Sequence, residues 1–251
     1  MKIDPIHQFN IEPLFTIGHI GNHTIAFTNS SLYMLITVAV ISLLMIGGMG
    51  RRQLVPGRLQ SIAEISYEFV ASTIRSTAGS EGMKFFPLIF SLFMFICISN
   101  LIGIIPYTFT ISSHLIVTAA LALLVFFTVL IYGVAKNGLK FFSIFVPHGV
   151  PGYILPLVMF IEILSFFLRP VSHSVRLFAN MLAGHIALKV FAGFVAMLGF
   201  SLGAIGWVGG VLPLALTISL YALEILVAFL QAYVFAILTC IYLNDAIHPG
   251  H

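Results

Sequence analysis

Long apolar runs separated by short polar connections set the character of this chain. The first run covers 31–49 and meets Arg51, Arg52 and Arg58; a second covers 85–105 and stops at Pro106; a third covers 114–134 and ends before Lys136 and Lys140. Each has the roughly 20 residues a helix needs to cross about 30 Å of hydrocarbon, so the pattern predicts three spans. Between the first two, residues 59–83 set Glu64, Glu68, Arg75 and Glu81 among apolar positions. That spacing predicts an amphipathic helix lying at the membrane surface. After a proline- and glycine-rich loop at 147–152, apolar stretches cover 153–200, interrupted by Pro156 and Pro170, and 212–243. At ~1.5 Å per residue both exceed a perpendicular crossing, so 153–243 predicts a steeply inclined helical hairpin. The glycines at 199–210 include Gly199/Gly203 and Gly206/Gly210, the small-residue spacing of packed membrane helices. Their clustering where the chain must reverse favours a flexible turn. Residues 1–30 are mixed and polar, without a basic n-region followed by an apolar one, so no cleavable signal peptide is expected.

Composition turns this pattern into a class. Of 251 residues 60% are hydrophobic and 8% charged, against about a quarter charged in a soluble domain. There is too little polar surface to cover a core in water, so the bilayer is the solvent and an all-α membrane protein, one integral membrane domain, is expected. The basic residues between spans orient it: the connections at 51–84 and 135–151 carry the Lys and Arg, and the short 106–113 connection carries none. By the positive-inside rule the N-terminal segment 1–30 lies outside and the C-terminus is cytoplasmic. A formal net charge of +3, scattered along the chain, gives no reason to expect nucleic acid as a partner. Cys97 and Cys240 sit inside apolar runs and read as buried thiols. His7, His19, His23, His114, His248 and His251 have no metal-ligand spacing, and the chain has no HExxH, GxSxG or P-loop. No cofactor, metal centre or catalytic site is expected.

The chemistry lies in the inclined hairpin, which carries Glu162, Arg169, Arg176, Lys189 and Glu224 together with His173, Asn180, His185 and Gln231. A charge at the bilayer midplane costs about 2.5–3.5 kcal/mol even on the lenient insertion scale. Arg169 and Lys189 fit snorkelling to an interface as well as they fit a function; Arg176, mid-segment, fits it poorly. At about 100° per residue, taking Arg176 as zero puts Arg169 near +20°, Glu162 and Asn180 near +40°, His173 near +60°, Ser165 near −20° and Ser172 near −40°. His185 falls near 180°, on the opposite face. On the last helix Thr217 and Gln231 lie about 20° from Glu224 and Tyr221 about 60° from it. Arginine stays protonated and can only hold or repel charge, whereas Glu and His can pass protons. A fixed cation flanked by titratable groups on different faces suits two proton routes kept apart by an electrostatic barrier. A free-standing transporter is the rival reading, although no paired inverted repeat is evident; a structural scaffold with paired charges is a third.

Residues 169–185 read R-P-V-S-H-S-V-R-L-F-A-N-M-L-A-G-H. This resembles the signature of subunit a of the rotary proton-translocating ATP synthase, an R-L-F-x-N-M-x-A-G run preceded by a P-V-S turn. The L-Q-A-Y-V-F at 230–235, with Leu243 beyond it, resembles that family's last helix, and Asn100-Leu101-Ile102-Gly103 with Pro106 resembles its N-L-x-G-x-x-P span end. The resemblance implies a non-catalytic stator subunit that couples proton flow to rotation and ATP synthesis. Arg176 would be the essential arginine facing the carboxylate of the rotating ring of subunit c, with Asn180 and Gln231 flanking it. His185 and Glu224 would form a proton relay in the half-channel open to the outside. Glu162, Ser172 and His173 would belong to the polar lining of the path. Implied partners are the ring of subunit c, the peripheral-stalk subunit b, the other ATP synthase subunits, the lipid bilayer and the transported protons. The implied location is a bacterial inner membrane, the mitochondrial inner membrane being the alternative. Some members place a carboxylate where His185 stands and a histidine where Glu224 stands; the exchanged pair here looks like the mitochondrial and alphaproteobacterial arrangement. Some also carry an Asp where Gly103 stands.

Overall fold

The computed structural model describes residues 9–20, 23–50, 56–105, 108–146 and 153–247. Arg51, Arg52, Pro106, the 147–152 loop, His7, His248 and His251 lie outside them. Two antiparallel strands, β1 (Pro13–Ile20) and β2 (His23–Thr28), precede six helices: α1 (Asn29–Met49), α2 (Arg58–Gly82), α3 (Phe86–Ile104), α4 (Leu115–Asn137), α5 (Leu155–Gly209) and α6 (Val211–Ile247). The protein is an all-α membrane protein: among the described residues, five helical stretches are long and apolar enough to cross a bilayer, with α2 and α3 counted as one stretch, Arg58–Ile104. A 3-10 turn at Met83–Phe85 joins α2 to α3, and Gly79 near the end of α2 has the left-handed φ of 65°.

The chain divides into two compact units, one of Met1–Ile41, Phe95–His114 and Leu177–Gln231, the other of Ser42–Met94, Leu115–Arg176 and Ala232–His251. In the first, Phe15 and Phe27 stack across the hairpin at 4.9 Å between ring centroids. The mixed, polar segment read at the N-terminus carried no expectation of this hairpin. Its strands alternate weakly, and Gly21-Asn22 between them is a turn pair in sequence terms. The Asn29 side chain starts α1: its Oδ1 accepts from the amides of Ser30 (2.8 Å) and Glu12 (3.2 Å), and its Nδ2 donates to the Asn10 carbonyl. The hydroxyl of Tyr221 donates to the Ile104 carbonyl at 3.0 Å, closing one free carbonyl at the end of α3.

In the second unit Tyr67 and Phe69 of α2 meet Phe86 (4.5 Å) and Phe93 (5.6 Å) of α3, and Phe69 reaches Tyr233 of α6. Gly133 of α4 lets the following 3-10 segment, Gly138–Phe145, fold back on it: a Cβ there would lie 2.2 Å from Cε2 of the fully buried Phe141. Lys136 forms an ion pair with Glu81, and Asn137 donates to the Ala246 carbonyl at 2.6 Å.

The long hairpin departs from helical backbone among its glycines and not at its prolines. Pro156 lies in the first turn of α5, where the missing N–H costs nothing. Pro170 stays inside the helix, and α5 departs from helical backbone at Gly203, with φ 57°. The backbone thus departs from helix within the 199–210 segment expected as a turn, and helical hydrogen bonding runs through Gly210, whose amide donates to the Gly206 carbonyl and whose carbonyl accepts from Leu214. The last helix continues past Leu243 to Ile247.

Candidate proton-transfer site

Glu224 and His185 come together in the first unit. The wheel that sends His185 to the face of α5 opposite Arg176 sends it inward: His185 is 6% exposed and Glu224 5%. Their Nδ1 and Oε1 are 3.2 Å apart. Gly184 permits this approach, since a Cβ there would stand 2.9 Å from Oε1 of Glu224. No hydrogen bond of good geometry from a described residue reaches either carboxylate oxygen. Glu224 also lines a cavity of about 260 Å³ with Asn180, Ala183, Gly184, Leu220, Leu223 and Val227. Asn180, exposed on α5, donates from Nδ2 to Oε1 of the buried Gln231 at 2.8 Å. The Glu224 carboxyl group and the Asn180 amide thus line one cavity among apolar side chains, with His185 against the first and Gln231 against the second. Such groups can hold and pass a proton.

Three side chains in this cluster were not among the residues singled out from the sequence for a role. The Thr110 hydroxyl lies 3.1 Å from Nε2 of His185, and Ser112 donates to Oδ1 of Asn100 at 2.6 Å. Asn100 falls within a motif quoted above; Thr110 and Ser112 carry no local signal, because their partners are 75 and 12 residues away in the chain.

The second unit holds the other polar residues of α5, and the stripe predicted there divides. Arg176 and Ser172 are exposed and Glu162 is half-buried, whereas His173, at the edge of the stripe, is 3% exposed. The His173 ring meets Phe235 edge-on at 3.9 Å and lies 5.9 Å from Tyr242, and neither ring nitrogen makes a hydrogen bond of good geometry with a described residue. Arg169 is held by a carboxylate of its own chain. Its Nη1 donates to Oδ2 of Asp245 at 2.9 Å, and its guanidinium lies 4.9 Å from the centre of the Tyr242 ring. Arg176 forms no ion pair with any described residue. The two arginines of one helix therefore differ in kind: one is neutralised within the chain, and the other presents its charge outward among exposed Phe167, Leu168, Val171 and Val175.

Residues 31–244 match the family described as ATP synthase A chain. The ATP synthase subunit a of Bradyrhizobium diazoefficiens is 94% identical over 251 residues, all of both chains. That of Rhodopseudomonas palustris (strain BisA53) is 77% identical over 249 residues, 99% of this chain and all of the relative. The Nitrobacter winogradskyi protein is 75% identical over the same coverage.

Proposed function

The chain belongs to the family of ATP synthase subunit a, a non-catalytic component of the enzyme's membrane sector, and we propose that it supplies two proton half-channels and an essential arginine, Arg176, at the interface with the rotating ring of subunit c. The observation that carries this reading is the exposed guanidinium on an exposed apolar helix face. Arginine stays charged under any accessible condition, and a bare charge in hydrocarbon costs several kcal/mol, about 3 on the insertion scale. Arg169 meets that cost with Asp245. Arg176 needs a carboxylate from outside the chain, and a ring whose subunits each present one carboxylate in the membrane supplies it.

The remaining geometry fits proton delivery to such a carboxylate. His185 and Glu224 form the relay of the outer half-channel, and the cavity beside Glu224 carries it towards Asn180, four residues beyond Arg176 on α5. Glu162, Ser172 and His173 belong to the polar lining of the path. A proton enters from outside, passes through the relay and neutralises a ring carboxylate, which can then turn into lipid. After nearly a full turn it leaves to the inside, and Arg176 favours the ionised carboxylate that remains while blocking direct passage between the routes. Each charge crossing ~100 mV releases about 2.3 kcal/mol, so several protons are geared to each ATP made elsewhere in the complex.

The relatives are bacterial, and we place the chain in the bacterial inner membrane with its N-terminus outside and its C-terminus in the cytoplasm. The ion pair of Lys136 at the end of α4 with Glu81 at the end of α2 supports this, because it gathers two basic connections on one side. The 59–83 region lies along that surface, and peripheral-stalk subunit b is the further membrane partner. The test is ATP-driven proton pumping by vesicles carrying Arg176→Ala, with assembly checked by the amount of the chain retained in the complex. Pumping is lost on this reading, and pumping at the wild-type rate would remove it.

A further inference from the structure

Asn100, Ser112 and Thr110 form a polar cluster that no step of the route above uses. Their relative exposures are 0%, 4% and 1%. Asn100, near the end of α3, donates from Nδ2 to the carbonyl of Ala228, one turn beyond Glu224 on α6, at 3.4 Å. Its Oδ1 accepts from Ser112 at 2.6 Å, and the hydroxyl of Ser113 donates to the Thr110 carbonyl at 2.6 Å. The 110–113 segment is thereby tied to α3 and, through Asn100, to the helix that carries Glu224. It holds the Thr110 hydroxyl 3.1 Å from Nε2 of His185 and 3.4 Å from the carbonyl of Gly103. A Cβ on Gly103 would meet Cγ2 of Thr110 at 2.9 Å and Oγ1 at 3.1 Å, so the threonine side chain fills the space beside that glycine.

A hydroxyl has one proton to donate, and here two acceptors compete for it. When Nε2 of His185 is bare, Thr110 donates to it, and the imidazole hydrogen sits on Nδ1, facing Glu224. When Nε2 carries the hydrogen, that N–H donates to Thr110, whose own proton turns to the Gly103 carbonyl. From this arrangement we propose that Thr110 is a positioning residue for the His185–Glu224 relay, a hydroxyl rotor that stabilises the imidazole in either tautomer. The inference rests on the reading that this pair carries protons. The step balances: Thr110 turns its proton to Gly103, a hydronium ion on the outer side gives a proton to the freed Nε2 and leaves water, the Nδ1 proton moves to the Glu224 carboxylate, and a neutral imidazole of the opposite tautomer remains with its Nε2–H donating to Thr110. The other groups at His185 are Glu224 on α6, Lys189 one turn further along α5 and the ring of Phe9 at 6.4 Å. None of them can accept from and donate to Nε2 in turn as a hydroxyl does.

The test uses the assembled ATP synthase in inverted membrane vesicles, with ATP-driven pumping followed across about pH 6–9, the range that brackets histidine titration. Thr110→Val keeps the shape and removes the hydroxyl; pumping falls about tenfold, the scale of one lost buried hydrogen bond, and its pH profile moves. Thr110→Ser keeps the hydroxyl and restores both rate and profile. If Thr110→Val does not assemble, Thr110→Ala carries the same expectation. Wild-type rate and profile in the valine variant would overturn the inference, as would a serine variant as poor as the valine one, which would assign the effect to methyl packing against Gly103. Arg176→Ala in the same vesicles separates the two levels. Pumping that survives Arg176→Ala removes the underlying reading; pumping lost there but intact in Thr110→Val removes only the rotor.

Discussion

Gly184→Ala puts one methyl group of α5 against the Glu224 side chain of α6. The new Cβ would lie 2.9 Å from Oε1, 3.4 Å from Cδ and 3.7 Å from Cγ of Glu224. Non-bonded carbons rest at about 3.5–4.0 Å and oxygen slightly closer, so the carboxyl group must retreat by roughly half an ångström. The neighbouring cavity of about 260 Å³ gives it room to do so. Two terms then oppose each other in stability. Replacing a helical glycine by alanine contributes about 1 kcal/mol, and overpacking costs about 1–3 kcal/mol where nothing can move. With the cavity available, thermal stability of the complex should change by less than about 1 kcal/mol. Function should not be spared. The His185–Glu224 approach of 3.2 Å would widen, and misplacement on this scale costs about ten- to a hundredfold in rate. The assay is ATP-driven acidification of inverted vesicles, with retained complex measured in parallel. Glu224→Asp shortens the acid by one methylene, so Gly184→Ala combined with Glu224→Asp should pump better than the product of the single effects. Wild-type pumping by Gly184→Ala, or strictly multiplicative losses, would refute the argument from contact distance.

Two further outcomes follow from the second unit. Arg169→Leu leaves Asp245 without its cation; both groups are a quarter to a third exposed, so the loss should be about 1–2 kcal/mol rather than the larger cost of a fully buried pair, largely recovered by adding Asp245→Leu and read as the thermal midpoint of the detergent-solubilised complex. Gly133→Ala drives a methyl to within 2.2 Å of the Phe141 ring, and should lower stability by about 1–3 kcal/mol in the same assay, with Phe141→Leu as the partial suppressor.

Helical periodicity and hydropathy carried the reading where the physics is local. Apolar length disclosed the membrane helices, and the 100° wheel put His185 and Arg176 on opposite faces of α5, one buried and one exposed. The same wheel failed at its margin: His173, some 60° from Arg176, falls on the buried side. Periodicity gives a direction but not the width of the covered face, which depends on Phe235 and Tyr242 packing against it. Partners distant in sequence were illegible for the same reason. Nothing near Arg169 announces Asp245, and nothing near Thr110 announces His185. The prolines misled because Pro170 remains within α5, and the left-handed residue is Gly203. The N-terminal strands were missed because their alternation is short and the surrounding residues are polar.

The central claim is that Arg176 is an unpaired barrier charge which a ring carboxylate must meet. Its most direct measurement is passive proton flux, under an imposed membrane potential, through membrane sectors stripped of their catalytic head and carrying Arg176→Ala, beside Arg169→Ala and the unaltered chain. The account predicts that Arg176→Ala passes protons at least as fast as the unaltered sector while ATP-driven pumping disappears, and that Arg169→Ala retains coupled pumping. Coupled pumping that persists in Arg176→Ala, or two arginine variants that behave alike, would contradict it.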